Sequence, residues 1–223
     1  HTIEVVAQGM TDPARSFANS TYGSAFNRNF ITTVEFSKIL QQLYNNGYIL
    51  VDFDDFIAEE TDANGTTVYK AKTLYLPKGK KPIMLTQTNV NYNYYLIDSD
   101  GDKTPDAKGG GFASKLLWDG NEFTCEMVDA SGNTITGAYD LVPILESFVK
   151  EHPGFSYKGA KATLALTGYN GLFGYRTHPS AANIFGETEY KQAIQDASAV
   201  AKALRDHGYT LACYTYENIP YGD

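Results

Sequence analysis

The chain has 223 residues, of which 43% are hydrophobic, so it is long enough and apolar enough to build the core of a folded domain. With 18 basic and 26 acidic side chains its net charge is −8, and it has no large Lys/Arg cluster, which argues against nucleic-acid binding. No apolar run approaches the roughly 20 residues of a membrane-spanning helix. These features predict a soluble, acidic, globular protein that forms a single domain over residues 1–223.

The predicted elements begin after an irregular segment, because residues 1–30 are rich in small polar residues and turn-forming pairs. A helix begins at Thr32, which forms a capping box with Glu35 ahead of an apolar stripe. Further helices are predicted over residues 141–151 and 187–207. Four apolar core strands are predicted at residues 48–53, 83–87, 162–167 and 209–214.

Two β-rich insertions, residues 54–80 and 90–140, interrupt this pattern. In the first, a hairpin turn is expected at residues 62–65, with short strands around 67–69 and 73–75. The second contains an acidic, Gly-rich loop and a small β-meander. Helices that alternate with nearly continuous apolar strands predict an α/β protein with a parallel sheet or barrel.

The carboxyl ends of parallel strands are where such folds place their sites. Several spaced stretches, some of them at these strand ends, resemble a subgroup of bacterial polysaccharide deacetylases, which are metal-dependent carbohydrate esterases. They are Thr32-Thr33-Val34-Glu35-Phe36, Gly79-Lys80-Lys81-Pro82, Val90-Asn91-Tyr92, and Leu166-Thr167-Gly168-Tyr169-Asn170-Gly171 with Phe173-Gly174-Tyr175-Arg176-Thr177. The resemblance spans residues 30–223. It implies a partial or deformed (β/α) barrel of the deacetylase type with inserted β-hairpins.

The two metal-binding motifs of this family are altered in the chain. The family has two adjacent Asp residues, a catalytic base and a metal ligand, where this chain has Thr88 and Asn89. It has two metal-binding His residues where this chain has Tyr214 and Asn218. Amide, hydroxyl and phenol groups bind zinc or a similar divalent metal weakly, and without the metal no water is acidified. The resemblance therefore implies loss of the catalytic metal and of catalysis.

The remnant cleft still offers hydroxyls, amides and aromatic faces, which are groups that hold a sugar. We therefore expect a glycan or peptidoglycan fragment as the ligand, and an extracellular or cell-surface location. The predicted ligand-binding residues are Thr88, Asn89, Arg176, Tyr214, Tyr216 and Asn218. Among the 4 histidines, only His178 is placed to reach this site, because it lies in the loop after a core strand.

An active metal-dependent carbohydrate deacetylase or hydrolase with a relocated site is an alternative. Its ligands would come from the Asp98–Asp106 loop or from the pair Asp54 and Asp55. They follow a strand, as the Asp pair of the family does, but the Gly that follows in the family is absent here. The competing interpretation is an exposed acidic helix start. A structural interaction domain without a small ligand is the third function that the sequence leaves open.

A second acidic segment predicts either a calcium site or an acidic surface turn. Carboxylates at alternate positions gather oxygen ligands for calcium, although the EF-hand pattern is incomplete here. The candidate ligands are Asp98, Asp100, Asp102 and Asp106.

The ends of the chain and its thiols give further expectations. The chain begins at His1 without Met, which suggests a processed or trimmed protein. Four core strands are too few for a (β/α) barrel, so we expect an incomplete C-terminus. The alternative is that inserted β-structure or a second chain covers the edge of the last strand. Cys125 and Cys213 match no metal-binding spacing, and we expect them to be free, buried thiols.

Overall fold

The computed structural model describes residues 2–6, 22–88, 90, 92–98, 100, 106–107, 109–216 and 219. The helices in this part of the chain are α1 (Gly23–Asn29), α2 (Thr33–Asn45), α3 (Leu141–Glu151), α4 (Ala181–Phe185) and α5 (Glu187–Asp206). The strands are β1 (Thr2–Val6), β2 (Tyr48–Leu50), β3 (Ile57–Thr61), β4 (Thr67–Ala71), β5 (Lys81–Thr88), β6 (Ala113–Trp118), β7 (Phe123–Val128), β8 (Thr134–Gly137), β9 (Thr163–Leu166) and β10 (Thr210–Cys213). None of the described helices is long and apolar enough to cross a membrane.

A parallel sheet forms the centre of the fold. Its strand order is β1-β5-β9-β10, and β2 also pairs with β5. The first part of β5 pairs with β2, and its last residues pair with β9, with Thr88 opposite Ala165. The mixed α/β architecture with a parallel sheet is therefore confirmed, and the described strands do not close into a barrel.

The segment predicted to be irregular contains two regular elements. Residues 2–6 form β1, which adds a fifth parallel strand and places Val6 opposite Thr88. Residues 23–29 form α1, a helix of low intrinsic propensity with Gly, Ser and Asn in it. Phe26 of this helix packs edge-on against the buried Phe112, with ring centroids 5.0 Å apart. Tertiary packing therefore supplies the stability that the low helix propensity of this segment does not.

The first insertion is a two-stranded hairpin arm, formed by β3, β4 and their turn. The turn is confirmed, since Asp62 Oδ1 accepts the backbone N–H groups of Asn64 and Thr66 at 2.8 and 2.9 Å. The prediction of a strand around residues 73–75 is wrong, because β4 pairs with β3 and not with a later segment. No residue of either strand is buried. The two ends of the arm meet where Lys72 N donates to Phe56 O at 2.8 Å.

The predicted meander is confirmed as the antiparallel strands β6, β7 and β8. Alternate residues of β7 are buried, and Phe123 and Cys125 belong to the same core as Leu85 and Leu164 of the parallel sheet. The meander therefore packs into the main core and does not project from it. Both thiols are free, as expected, but Cys213 is exposed where a buried position was predicted.

One joint between a helix and a strand occurs twice. After α2 and after α5, a glycine with positive φ ends the helix, and a Tyr then leads into a parallel strand. The first, Gly47, accepts the N–H of Lys81 through its carbonyl at 2.9 Å, and Gly208 accepts that of Lys161 at 3.0 Å. In both places the helix end is hydrogen-bonded to the chain that enters the neighbouring strand.

The capping box of α2 gives a testable prediction. Thr32 Oγ1 accepts the N–H of Glu35 at 3.0 Å, and the Glu35 carboxylate accepts the N–H of Thr32 at 2.8 Å. We expect Thr32→Ala to lower the free energy of unfolding by about 1 kcal/mol, measured by urea denaturation. The hydrogen bonds from Thr32 lower the pKa of Glu35, so this difference should shrink as the pH falls through that pKa. Ser37→Ala, an exposed change inside the same helix, is the control, and an equal loss there would contradict the prediction.

Candidate functional site

The carboxyl ends of β5, β9 and β10 lie at one edge of the sheet, because the three strands are parallel neighbours. Thr88 ends β5 opposite Ala165, and Leu166 ends β9 opposite Cys213. Pairing continues one residue further, where Tyr214 N donates to Leu166 O at 2.9 Å. The three strand-end segments singled out in the sequence therefore share this edge.

Thr88 and Tyr214, two of the four residues expected at the altered metal-binding motifs, lie at the ends of strands that are not neighbours. Thr88 is 7% exposed, whereas Tyr214, past the end of β10, is 48% exposed. Because β9 lies between them, their strands are about 10 Å apart in the plane of the sheet. Asn89 and Asn218 lie outside the described residues.

A surface cavity of about 480 Å³, the strand-end cavity, opens beside β9 and β10. Its lining residues are Leu166, Thr167, Gly168, Leu172, Thr177, His178, Pro179, Leu211, Ala212, Cys213 and Tyr216. Tyr216 is 52% exposed, and its ring lies over Gly168, where an added Cβ would sit 3.5 Å from the ring. His178 lines the cavity, as its position in the sequence predicts. None of the described lining residues is a carboxylate, so this lining holds no Asp or Glu for acid–base catalysis.

Arg176 lies away from this cavity, in a separate pocket. Its guanidinium donates to the backbone oxygens of Tyr92 and Asn170 at 3.2 and 3.3 Å. It also stacks on Tyr94, 4.0 Å from the ring centroid. Arg176 and Tyr216 are predicted to share one cleft, and the structure places them in two cavities.

A buried polar network beneath the strand ends was not recognised from the sequence. Asp140 is 1% exposed, and it accepts hydrogen bonds from Tyr92 Oη at 2.6 Å, Gln87 Nε2 at 3.2 Å and Leu141 N at 2.7 Å. The thiol of Cys125 lies 3.9 Å from Tyr92 Oη. Burial, and then the charge of Asp140, raise the pKa of Tyr92 and of Cys125 well above their ordinary values. Both groups are therefore neutral hydrogen-bonding partners at neutral pH.

This network fixes the loop that follows β5. The side chain of Tyr92 is bonded to Asp140 at the start of α3, and its carbonyl accepts from Arg176 of the loop after β9. Tyr92 has a φ of 55°, a conformation that is rare for a residue with a Cβ and that this packing holds in place. An Asp directly before a predicted helix is an N-cap signal, and it is the one feature of the sequence that singles out Asp140.

Asp54 and Asp55 lie in a one-turn helix, Phe53–Asp55. The Asp55 carboxylate accepts the N–H of Asp52 at 2.9 Å, and the Asp52 carboxylate accepts the N–H of Asp54 at 3.1 Å. A second oxygen of Asp52 accepts the hydroxyl of Thr210 at the start of β10. These contacts match the interpretation of the pair as an acidic helix start.

Three of the four candidate calcium ligands lie together. One carboxylate oxygen from each of Asp98, Asp100 and Asp106 falls within 4.8 Å of the others. Asp98 is buried, Asp106 is half-buried, and Asp102 lies outside the described residues. Oxygen ligands of this kind suit calcium, and the calcium site stays a prediction.

No family model matches the chain, and no curated protein and no solved structure matches it either. The resemblance to the polysaccharide deacetylases and its implied ligand therefore stay predictions from the sequence. The geometry of the strand ends is the observation that bears on function.

Proposed function

We propose that the chain is a polysaccharide deacetylase-like domain that binds a cell-wall glycan at the strand-end cavity without hydrolysing it. The proposal includes an extracellular or cell-surface location, where such a glycan is found. It joins the resemblance seen in the sequence to the chemistry of the residues at the strand ends.

The observation that carries the proposal is the exposed Tyr216 ring in a cavity at the strand ends. A tyrosine ring offers a flat apolar face that suits the C–H face of a sugar, with a hydroxyl at its edge. The lining also includes the polar side chains of Thr177 and His178. A volume of about 480 Å³ falls within the usual range for a small-ligand site.

The identity of the residues at the strand ends argues against metal-dependent hydrolysis. Thr88 and Tyr214 offer a hydroxyl and a phenol where a carboxylate and an imidazole would bind zinc. The Asp55 carboxylate belongs to a capping box with Asp52, and Asp54 lies in the same one-turn helix, on another segment of the chain. No described residue of the cavity lining offers an anionic base.

Titration calorimetry with soluble peptidoglycan fragments and N-acetylated oligosaccharides tests the proposal. We expect saturable binding that Tyr216→Ala weakens about tenfold, because the ring face contributes roughly 1.5 kcal/mol or more when a ligand covers it. Tyr69→Ala removes a ring that is 66% exposed on the hairpin arm, and it should leave binding unchanged.

Two outcomes would overturn the proposal. One is the absence of binding to every oligosaccharide of the panel. The other is release of acetate from an acetylated glycan with added zinc, because this would identify a working hydrolase.

A further inference from the structure

A second and larger cavity, of about 660 Å³, lies between β6, β7 and α5. We call it the tyrosine groove, and the residues that define it are Tyr94, Lys115, Glu126, Tyr175, Tyr190 and Asp196. It shares no lining residue with the strand-end cavity. The two are separate candidate sites.

The floor of the groove is held by backbone contacts. An added Cβ at Gly174 would lie 2.3 Å from the carbonyl oxygen of Ser114 in β6, so only glycine allows this approach. The neighbouring Phe173 accepts the N–H of Leu116 through its carbonyl at 3.0 Å. Because the floor is already fixed, little conformational entropy is lost when a ligand binds.

The two cations of the groove are already engaged by the protein. Lys115 Nζ lies 3.2 Å from the Glu126 carboxylate and 5.4 Å from the centre of the Tyr175 ring. The guanidinium of Arg176 lies on Tyr94 and donates to backbone oxygens. These cations therefore leave the remaining acidic groups of the groove without a partner of opposite charge.

Those acidic groups are Asp196 and Glu189, both on α5. Asp196 is half-buried and accepts Gln192 Nε2 at 2.8 Å, and Glu189 is exposed at the rim. Neither forms an ion pair with any residue that the structure describes. Burial, and then the charges of Asp196 and Glu126, raise the pKa of Tyr175 to about 12.

We propose that the tyrosine groove is a second binding site and that its ligand is an amino sugar. The protonated amine pairs with Asp196, where the groove has an unbalanced negative charge. The ring of the sugar lies against Tyr190 and the exposed Phe185, whose faces are not covered by a protein cation among the described residues. Hydroxyl groups at the rim meet Thr188 and Glu189. This site stands independently of the glycan site proposed at the strand ends.

The test compares a glucosamine disaccharide with its N-acetylated counterpart on the Tyr216→Ala variant, in which the strand-end site proposed for N-acetylated oligosaccharides is weakened. The two ligands differ in the charge of the amine and share the ring. We expect the amine form to bind at least about tenfold tighter, and to bind more weakly as salt is added. A linear diamine, cadaverine, should bind more weakly than the amine disaccharide because it has no ring to lie on the aromatic faces. Equal binding of the acetylated form, or tighter binding of cadaverine, would overturn the proposal.

Variants locate the binding. Asp196→Asn should weaken binding of the amine disaccharide about tenfold, the loss expected for one charge-assisted hydrogen bond. Asp206→Asn makes the same change of charge at the far end of α5 and should leave binding unchanged. Tyr216→Ala should also leave it unchanged, so failure of this site and failure of the strand-end site are distinguishable. An equal loss in both Asp variants, with unchanged circular dichroism, would contradict the assignment.

Discussion

Replacing Asp140 with Ala is expected to lower the free energy of unfolding by roughly 3 kcal/mol or more, measured by urea denaturation. The carboxylate is 1% exposed and accepts three hydrogen bonds, from Tyr92, Gln87 and Leu141. Its removal leaves buried donors without an acceptor, and each such group carries a desolvation cost. Asp206→Ala is the control, because Asp206 lies at the surface and forms an exposed pair with Lys202.

A milder variant keeps this prediction testable where Asp140→Ala does not fold. Tyr92→Phe removes one hydrogen bond and preserves the ring, and we expect a loss of about 1.5 to 3 kcal/mol. It also removes a group whose pKa is raised in the folded state. Wild-type stability should therefore fall more steeply than that of the variant as the pH rises above 10.0, the ordinary pKa of tyrosine. If Tyr92→Phe had the same free energy of unfolding as Asp206→Ala, the buried network would contribute little to stability.

The second large effect is expected at Gly208, in the joint between α5 and β10. Its φ is +87°, and an added Cβ would lie 2.0 Å from the carbonyl oxygen of Gly159. Backbone atoms on both sides leave no flexible side chain to move away. We expect Gly208→Ala to cost more than about 3 kcal/mol in unfolding free energy, or to prevent folding.

Substitutions at two other glycines distinguish the cost of backbone strain from the cost of steric overlap. Gly65 in the hairpin turn has a φ of +80° and nothing within 4 Å of an added Cβ, so Gly65→Ala should cost only about 1 kcal/mol. Gly47, also at +80°, would place its Cβ 3.2 Å from Gly79 O, and Gly47→Ala should fall between the two. Equal losses in all three variants would show that φ alone matters and that the close approach at Gly208 does not.

The sequence predicts the elements that have strong periodic patterns. The stripes of α2, α3 and α5 and the apolar runs of β5, β9 and β10 correspond to the observed elements, because their faces are buried in the main core. The turn of the hairpin arm is also predicted, since Gly65 at positive φ follows an Asp that bonds the turn. At these places the local sequence pattern and the burial of apolar faces favour the same structure.

The parts that the sequence does not predict depend on distant contacts. Helix α1 depends on Phe26 meeting Phe112. The direction of Arg176 depends on a loop in which Asn170 and Phe173 have φ values of 59° and 56°. Side chains near such residues point in directions that strand alternation does not give. Arg176 and Tyr216, which are predicted to line one cleft, lie in two different cavities.

The hairpin arm is a segment that can be changed without changing the core of the fold. Its ends, Phe56 and Lys72, are joined by a backbone hydrogen bond of 2.8 Å, and none of its strand residues is buried. The packing of the core therefore depends on the two ends of the arm and not on the length of the arm. We expect a longer arm, a shorter arm or an inserted domain between these residues to leave the register of β2 and β5 unchanged. We therefore expect this position to tolerate an inserted segment or an engineered fusion.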